Sequence, residues 1–296
     1  MKDVVLITGA NGHLAERLGI HLKEEFEVRY LTRKKSNKAS YFLWDISNKF
    51  IDTDALIDCK HIIHLSGYPI LNSWTKKNKK LMYDSRVKSA ELLLEKCIEN
   101  KIQPETFICA SAIGIYSQDK SQKINENSSK GTDWLAKLAT DWEAASTNFK
   151  TIGSRVIQMR ISLIFSKNAG FLKYTLLSMK YGIAAMIGDH TKKINWIEVN
   201  DLARFIKKSI ITNSMHGAYN LTSDDQLSQK DLINSIKETL YPICLVITIP
   251  ISIIKAIIGE RSKIMNSNIH LDTTKLKESG FVCKQNNFKQ MLNNLK

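Results

Sequence analysis

KDVVLITGANGHLA, residues 2–15, is the stretch that decides the fold. Its apolar run Val4-Val5-Leu6-Ile7 reads as a buried strand. The run breaks at Thr8-Gly9-Ala10-Asn11-Gly12. From His13 to Lys23 the spacing turns helical, with Leu14, Leu18 and Leu22 on one face. A strand, a glycine turn and a helix make a phosphate cradle. Gly9 permits the tight turn, and Gly12 lets the backbone approach a pyrophosphate. Ala15 stands at the third small position, where helix and strand pack closely. The free N–H groups of the helix start then face the anion. Thr8, Gly9, Asn11, Gly12, His13 and Leu14 are therefore expected to line a dinucleotide. A plain strand–helix turn would not need glycines at this spacing.

Working outward, Val28 to Thr32 is a second strand that ends in Arg33-Lys34-Lys35. An acidic residue at this place would bind the ribose 2′-hydroxyl of NAD, whereas arginine accommodates the 2′-phosphate of NADP. Arg33 and Lys34 thus point to NADP(H), the alternative being solvated loop charges. One charge-assisted contact contributes roughly 1.5–3 kcal/mol, enough to shift preference by about one to two decades.

Tyr41 to Trp44 forms a third strand, followed by Asp45-Ile46. The Asp45 carboxylate can accept from an adenine amino group or cap the next turn. His61 to Leu65 is a fourth strand. His61 and His64 are three apart, face opposite sides, and so do not share a metal. Leu65, Ser66 and Gly67 stand at its C-terminal edge, where ligands sit in open α/β sheets. A long helix is expected from Met82 to Asn100, with Leu92, Leu93 and Cys97 inward and Ser85-Arg86 toward the cofactor. Thr106 to Ala110 is a fifth strand, and Ser111 to Tyr116 leaves its end. Thr132-Asp133 starts a helix through Ala145, whose Trp134, Leu138 and Trp142 read as core. Arg155 to Arg160 is a sixth strand. Strands alternating with helices mean an α/β fold with a doubly wound parallel sheet.

The remainder is less regular. Gly170 opens a helix through Tyr181, Ile194 to Val199 reads as a strand, and Asn200 or Asp201 caps a helix to Thr212. Ala218 to Leu221 returns as a strand, and Ser228 caps another helix. The apolar stretch Leu240 to Ile258 is interrupted by Pro242, Pro250 and Lys255. It reads as strand then helix rather than a membrane span.

Composition bounds the rest. The chain has 296 residues, 43% hydrophobic and 24% charged, which fits a globular protein. Five scattered cysteines show no disulfide or metal spacing, and Met1-Lys2-Asp3 leads straight into a strand without a signal peptide, so a cytoplasmic location is expected. The net charge of +14 suits an anionic partner. Lysine is spread along the chain, with one dense run, Lys76-Lys77-Asn78-Lys79-Lys80, placed before a helix. No nucleic-acid reader motif accompanies the charge, so neither a nucleic-acid nor a membrane partner is expected.

The chain resembles the extended short-chain dehydrogenase/reductases, and within them an atypical bacterial branch, the "epimerase family" group, also labelled SulA-like or YfcH-like. The resemblance rests on ITGANGHLA at Ile7, YLTR at Tyr30, HLSGYPI at His64, DSR at Asp84 and SAIGIY at Ser111. It continues through DWLAKLATDWEAAS at Asp133, INWIEVNDLAR at Ile194, YNLT at Tyr219, VITIP at Val246 and SGFVCK at Ser279. It implies NADP(H), a Rossmann domain over residues 1–239 with an excursion near 165–193, and a C-terminal lobe over 240–296. It also implies a catalytic Ser, Tyr and Lys, the last two four apart on one helix. Here Ala112 takes the serine position, Leu135 and Ala139 stand where Tyr and Lys belong, and no Tyr-x-x-x-Lys occurs between Thr132 and Ser146. Tyr116 and Ser111 remain as catalytic candidates, with a packed aromatic and a turn-capping serine as their alternatives; Ser111 also counts among the expected cofactor contacts. Tyr68 replaces the branch's usual Glu. Glu198 is a substrate contact or an exposed group, and Arg160 a partner for a carboxylate. The expectation is an NADP(H)-dependent oxidoreductase or epimerase-like enzyme acting on a small polar substrate, as monomer or homodimer. The alternative is a non-catalytic NADP(H)-binding sensor.

Overall fold

Val4–Thr8 (β1) is buried at every position, which only a strand covered on both faces achieves. In the computed structural model, which describes residues 2–117, 123–266 and 269–294, β1 pairs in parallel with strands on both sides. On one side lie Glu27–Thr32 (β2), Tyr41–Asp45 (β3) and the short antiparallel Phe50–Ile51 (β4). On the other lie Cys59–His64 (β5), Thr106–Ala112 (β6), Arg155–Ile161 (β7) and Gly217–Leu221 (β8). The eight-stranded order is β8-β7-β6-β5-β1-β2-β3-β4. The chain therefore reverses direction of travel between β1 and β5, and the loops after these two strands face the crevice of a doubly wound sheet.

The helices account for two differences from the sequence reading. The helix expected from Met82 begins at Lys76, because the Thr75 hydroxyl accepts from the Asn78 N–H and caps it. The lysine run is therefore the first turns of the helix. Lys79 lies over the rings of Trp74 and Trp134, and Lys80 pairs with Asp84. The helix is also not continuous: a wide π-type turn, Asp84–Lys88, joins Lys76–Tyr83 to Ser89–Glu99. Leu92, Leu93 and Cys97 are buried as expected. The helix His13–Leu22 (α1) buries Ala15, Leu18 and Leu22, and Asp133 caps Trp134–Thr147 by accepting from Ala136 N–H.

The chain divides into two compact units. The first holds residues 1–115, 130–160 and 202–219, and the second holds 116–129, 161–201 and 220–296. The second is larger than a lobe over 240–296 with an excursion near 165–193. Its core joins Phe165, Trp196 and Phe288 to Leu232, Ile233 and Ile236 of the helix Gln229–Thr239. That helix therefore belongs to the second unit. Ser228 and Asp231 close a capping box at its start. The strand read over Ile194 to Val199 splits at Asn195: Lys193–Ile194 pairs with Leu227–Ser228, and Trp196–Glu198 pairs with Leu163–Phe165. The helix that follows starts at Val199 and is capped by Glu198, which accepts from the N–H groups of Asn200 and Asp201. Asp201 is buried and accepts instead from the N–H groups of Lys284 and Gln285. Among the described residues no helix is long and apolar enough to cross a membrane; Leu245–Ile249 and Ile251–Ile258 are a strand and a short helix.

Candidate functional site

The β1 loop is built to bring backbone close to backbone. Gly9 has φ +75°, and a Cβ there would lie 3.0 Å from the Leu65 carbonyl oxygen and 3.2 Å from the Ser66 Cα. The buried Thr8 hydroxyl accepts from the N–H groups of Leu65 and Ser66, both at 3.0 Å, and so ties the β1 end to the β5 end. Gly12 donates its N–H to Gly9 O at 2.8 Å and stands in extended conformation at the N-terminus of α1. No side chain caps that terminus, and Asn11 and Gly12 are exposed. The first turn of α1, which begins at His13 and Leu14, thus presents the N-terminal, positive end of the helix at the glycine turn, the arrangement that suits an anion.

At the end of β2, Arg33 and Lys34 are exposed beyond the buried Thr32. The link from Arg33 to Ser40 contains no helix, which leaves the α1-side face of β2 and β3 open. A groove of about 600 Å³ runs there, lined by Asn11, Gly19, Lys38 and the stacked pair Tyr30 and Tyr41. Asp45 acts as a turn cap. One carboxylate oxygen accepts from the N–H of Ser47 and of Asn48, the other from the Asn48 side-chain amide. The Asn48 contacts hold its carboxyl below the usual range. Of the two roles open to Asp45, the turn cap is the one made here; Ile46 beside it is half-buried.

Behind the β5 end lies a buried polar cluster. His64 faces one side of the sheet, where its Nδ1 accepts from the Trp142 indole N–H at 3.2 Å. Indole only donates, so the ring proton sits on Nε2, within reach of the hydroxyls of Ser89 (2.8 Å) and Ser66 (3.1 Å). The Ser66 and Ser89 hydroxyls in turn donate to the Ser85 carbonyl. His61 faces the other side, against Phe26. Burial is the main cause that lowers the pKa of His64, to about 3. The unfolded chain binds the proton near pH 6.5 and the folded one does not, so stability falls as pH drops from 6.5 toward 3. At pH 5 the loss attributable to His64 is about 2 kcal/mol. Urea midpoints measured from pH 7 to pH 5 should show it, and His64→Gln should flatten the profile. Equal slopes in the two proteins would refute the assignment.

Arg86 sits on the wide turn over the same cluster. Its guanidinium donates to the carbonyls of Tyr68 (3.0 Å) and Met82 (3.1 Å) and lies 5.2 Å from the Trp142 ring centroid. It also closes on Gly67, where a Cβ would fall 2.9 Å from a guanidinium nitrogen. Among the described residues it has no carboxylate partner. Leu65, Ser66, Gly67 and Arg86 are thus assembled at one edge with the β1 loop.

The two catalytic candidates are both engaged elsewhere. Ser111 is buried and donates to Glu143 Oε1 at 2.8 Å, and Arg160 grips the same carboxylate through two nitrogens at 2.8 Å. Ser111 is therefore part of an ion-pair network, neither a turn cap nor an exposed hydroxyl. Arg160 has the carboxylate partner expected of it. Tyr116 is 1% exposed and donates its hydroxyl to Asn220 Oδ1, while the Asn220 amide donates to the carbonyls of Ile124 and Asp272. The packed-aromatic alternative describes Tyr116. Ala139, at the position of the usual lysine, is buried, and Leu135, at that of the tyrosine, is half-buried. Glu198 is a helix cap, with burial raising its pKa.

Residues 5–221 match the profile of the NAD dependent epimerase/dehydratase family. The chain belongs to that family. An epimerase family protein of Mycobacterium leprae is 30% identical over 223 residues, 75% of this chain and 72% of that protein. One of Staphylococcus epidermidis is 28% identical over 296 residues, covering 98% of each. Among solved structures, the human epimerase family protein SDR39U1 (isoform 2) with NADPH superposes with a TM-score of 0.86 over 98% of both chains at 19% identity. UDP-N-acetylglucosamine 4-epimerase from Bacillus cereus gives 0.77, with 18% identity over 99% and 97%. The solved structures share the α/β fold of this chain over nearly its whole length.

Within this epimerase-family fold the nicotinamide dinucleotide fits the residues present. The test is the glycine turn itself: Gly9 takes φ +75° against the Leu65 backbone, and no side chain caps the start of α1 at Gly12, which leaves backbone rather than side chain facing an anion there. The sequence did not reveal the His64–Trp142 lock or the Glu143 ion pair. The sequence placed His64 on the opposite side of β5 from His61, but nothing near it in sequence names its partner.

Proposed function

We propose that this chain is an NADP(H)-dependent oxidoreductase or epimerase-like enzyme acting on a small polar substrate in the cytoplasm. The observation that carries the cofactor reading is the glycine turn that leads from β1 into α1, with an exposed Arg33 just past the end of the neighbouring strand β2. In this reading the backbone of Gly9 to Leu14 holds the pyrophosphate, Arg33 and Lys34 hold the 2′-phosphate, and Leu65 to Gly67 line the second ribose. The bound nicotinamide supplies hydride transfer. The acid or base must come from groups other than Tyr116 and Ser111, whose hydroxyls are committed to Asn220 and Glu143.

That commitment favours a second reading, a non-catalytic NADP(H)-binding sensor or regulator. Titration with NADPH and NADH, followed by nicotinamide fluorescence, tests the shared part. NADPH should bind tightly and NADH weakly, and Arg33→Asp should weaken NADPH by about one to two decades while leaving NADH nearly unchanged. Equal loss of both would reject the 2′-phosphate assignment. Loss of 340 nm absorbance on small carbonyl compounds supports the enzyme; tight binding with no turnover across such a panel supports the sensor.

A further inference from the structure

Arg86 is a cation held without an anion. Its donors go to two backbone carbonyls, Tyr68 O and Met82 O, and no carboxylate neutralises it among the described residues. It cannot swing out to water as a surface arginine does. The Trp142 ring lies beneath it, and that ring is locked by its N–H bond to His64. Gly67 closes over it with no room for a side chain. Burial lowers its pKa to about 10, which still leaves it charged at neutral pH.

The position of this fixed charge matters for the cofactor. In a doubly wound sheet the dinucleotide crosses the switch point, with its adenosine half over the strand that carries the 2′-recognition residue. Here that strand is β2, on one side of β1, so the nicotinamide half belongs over β5 and β6 on the other. Gly67 and Arg86 stand at the β5 end. The oxidised nicotinamide ring carries a positive charge and the reduced ring is neutral. A partly desolvated, immobile cation is weakly screened, and it repels the first form without penalising the second.

We propose that Arg86 is a specificity-determining residue that makes the site prefer NADPH to NADP⁺. The proposal rests on the NADP(H) reading above and adds the redox state that the site retains. The test is calorimetric titration of the full chain with NADPH, NADP⁺ and 2′-phospho-ADP-ribose, the last lacking the nicotinamide ring. NADPH should bind at least about tenfold more tightly than NADP⁺. Arg86→Met should bring the two within about threefold, mainly by strengthening NADP⁺, and should leave 2′-phospho-ADP-ribose unchanged. Arg86→Lys should keep most of the discrimination. A wild-type ratio near one overturns the proposal without any variant, so it stays falsifiable if Arg86→Met does not fold. A ratio that Arg86→Met leaves intact also overturns it. Loss of 2′-phospho-ADP-ribose binding in Arg86→Met would assign the charge to the pyrophosphate, which again overturns it. Failure of the wild-type chain to bind any of the three is a different result and rejects the nucleotide reading itself.

Discussion

Glu143→Ala is expected to destabilise the first unit by about 3–5 kcal/mol, read as a shift in the urea midpoint at pH 7. The Glu143 and Arg160 side chains are 6% and 5% exposed. Removing the carboxylate strands a buried guanidinium and leaves the Ser111 hydroxyl without its acceptor. The loss is that of an uncompensated charge, so it should be reversible by removing the charge. Glu143→Leu combined with Arg160→Met should recover most of the stability, because apolar side chains of similar volume can replace a buried pair at little cost. A loss below about 1 kcal/mol for Glu143→Ala, typical of exposed ion pairs, would mean that water reaches the pair. The prediction bears on function as well. Ser111 ends up inside this network, one residue before Ala112, the position that the family resemblance assigns to the catalytic serine. Its hydroxyl is used to hold β6 to the helix Trp134–Thr147.

What the sequence made legible follows the range of the interactions involved. β1, the glycine turn and α1 are local: an apolar run, a φ that only glycine takes easily, and an amphipathic spacing lie within twenty residues. The doubly wound sheet follows from repetition of that unit. The start of the helix at Lys76 was masked by four lysines in five residues, although Thr75 was available as a cap. The core of the second unit is not legible locally, because Leu232, Ile233 and Ile236 find their partners at Phe165 and Trp196, far back along the chain, with no change of composition between them. The partners of the catalytic candidates were hidden for the same reason. Ser111 meets a carboxylate 32 residues away, and Tyr116 meets an amide 104 residues away. Spacing cannot announce such pairs. Asp45 shows the converse: its contacts are two and three residues on, and the turn-cap alternative was visible from the start.

The nucleotide site can be tested most cleanly at Gly12 rather than Gly9. Gly9 combines φ +75° with a Cβ position against the Leu65 carbonyl, so any side chain there strains the fold and the binding loop together. Gly12 has φ −80° and ψ 142°, which valine adopts readily. A Cβ there lies 3.1 Å from Gly9 O, a tight contact that asks the Gly9 carbonyl to give by a few tenths of an ångström, far less than the strain at Gly9. Gly12→Val should therefore cost about 1 kcal/mol or less of stability, the range of an N-cap replacement. Its branched side chain nevertheless stands over the first N–H groups of α1, where the pyrophosphate would sit. Loss of two charge-assisted hydrogen bonds at roughly 1.5–3 kcal/mol each raises Kd by at least about two decades. NADPH and NADH carry the same pyrophosphate, so both should be lost together, unlike the selective effect at Arg33. A folded Gly12→Val protein that binds NADPH as the wild type does would show that the glycine turn serves only to pack α1 against β1. In that case the Arg33 and Arg86 assignments, which both take their direction from the pyrophosphate position, would fall with it.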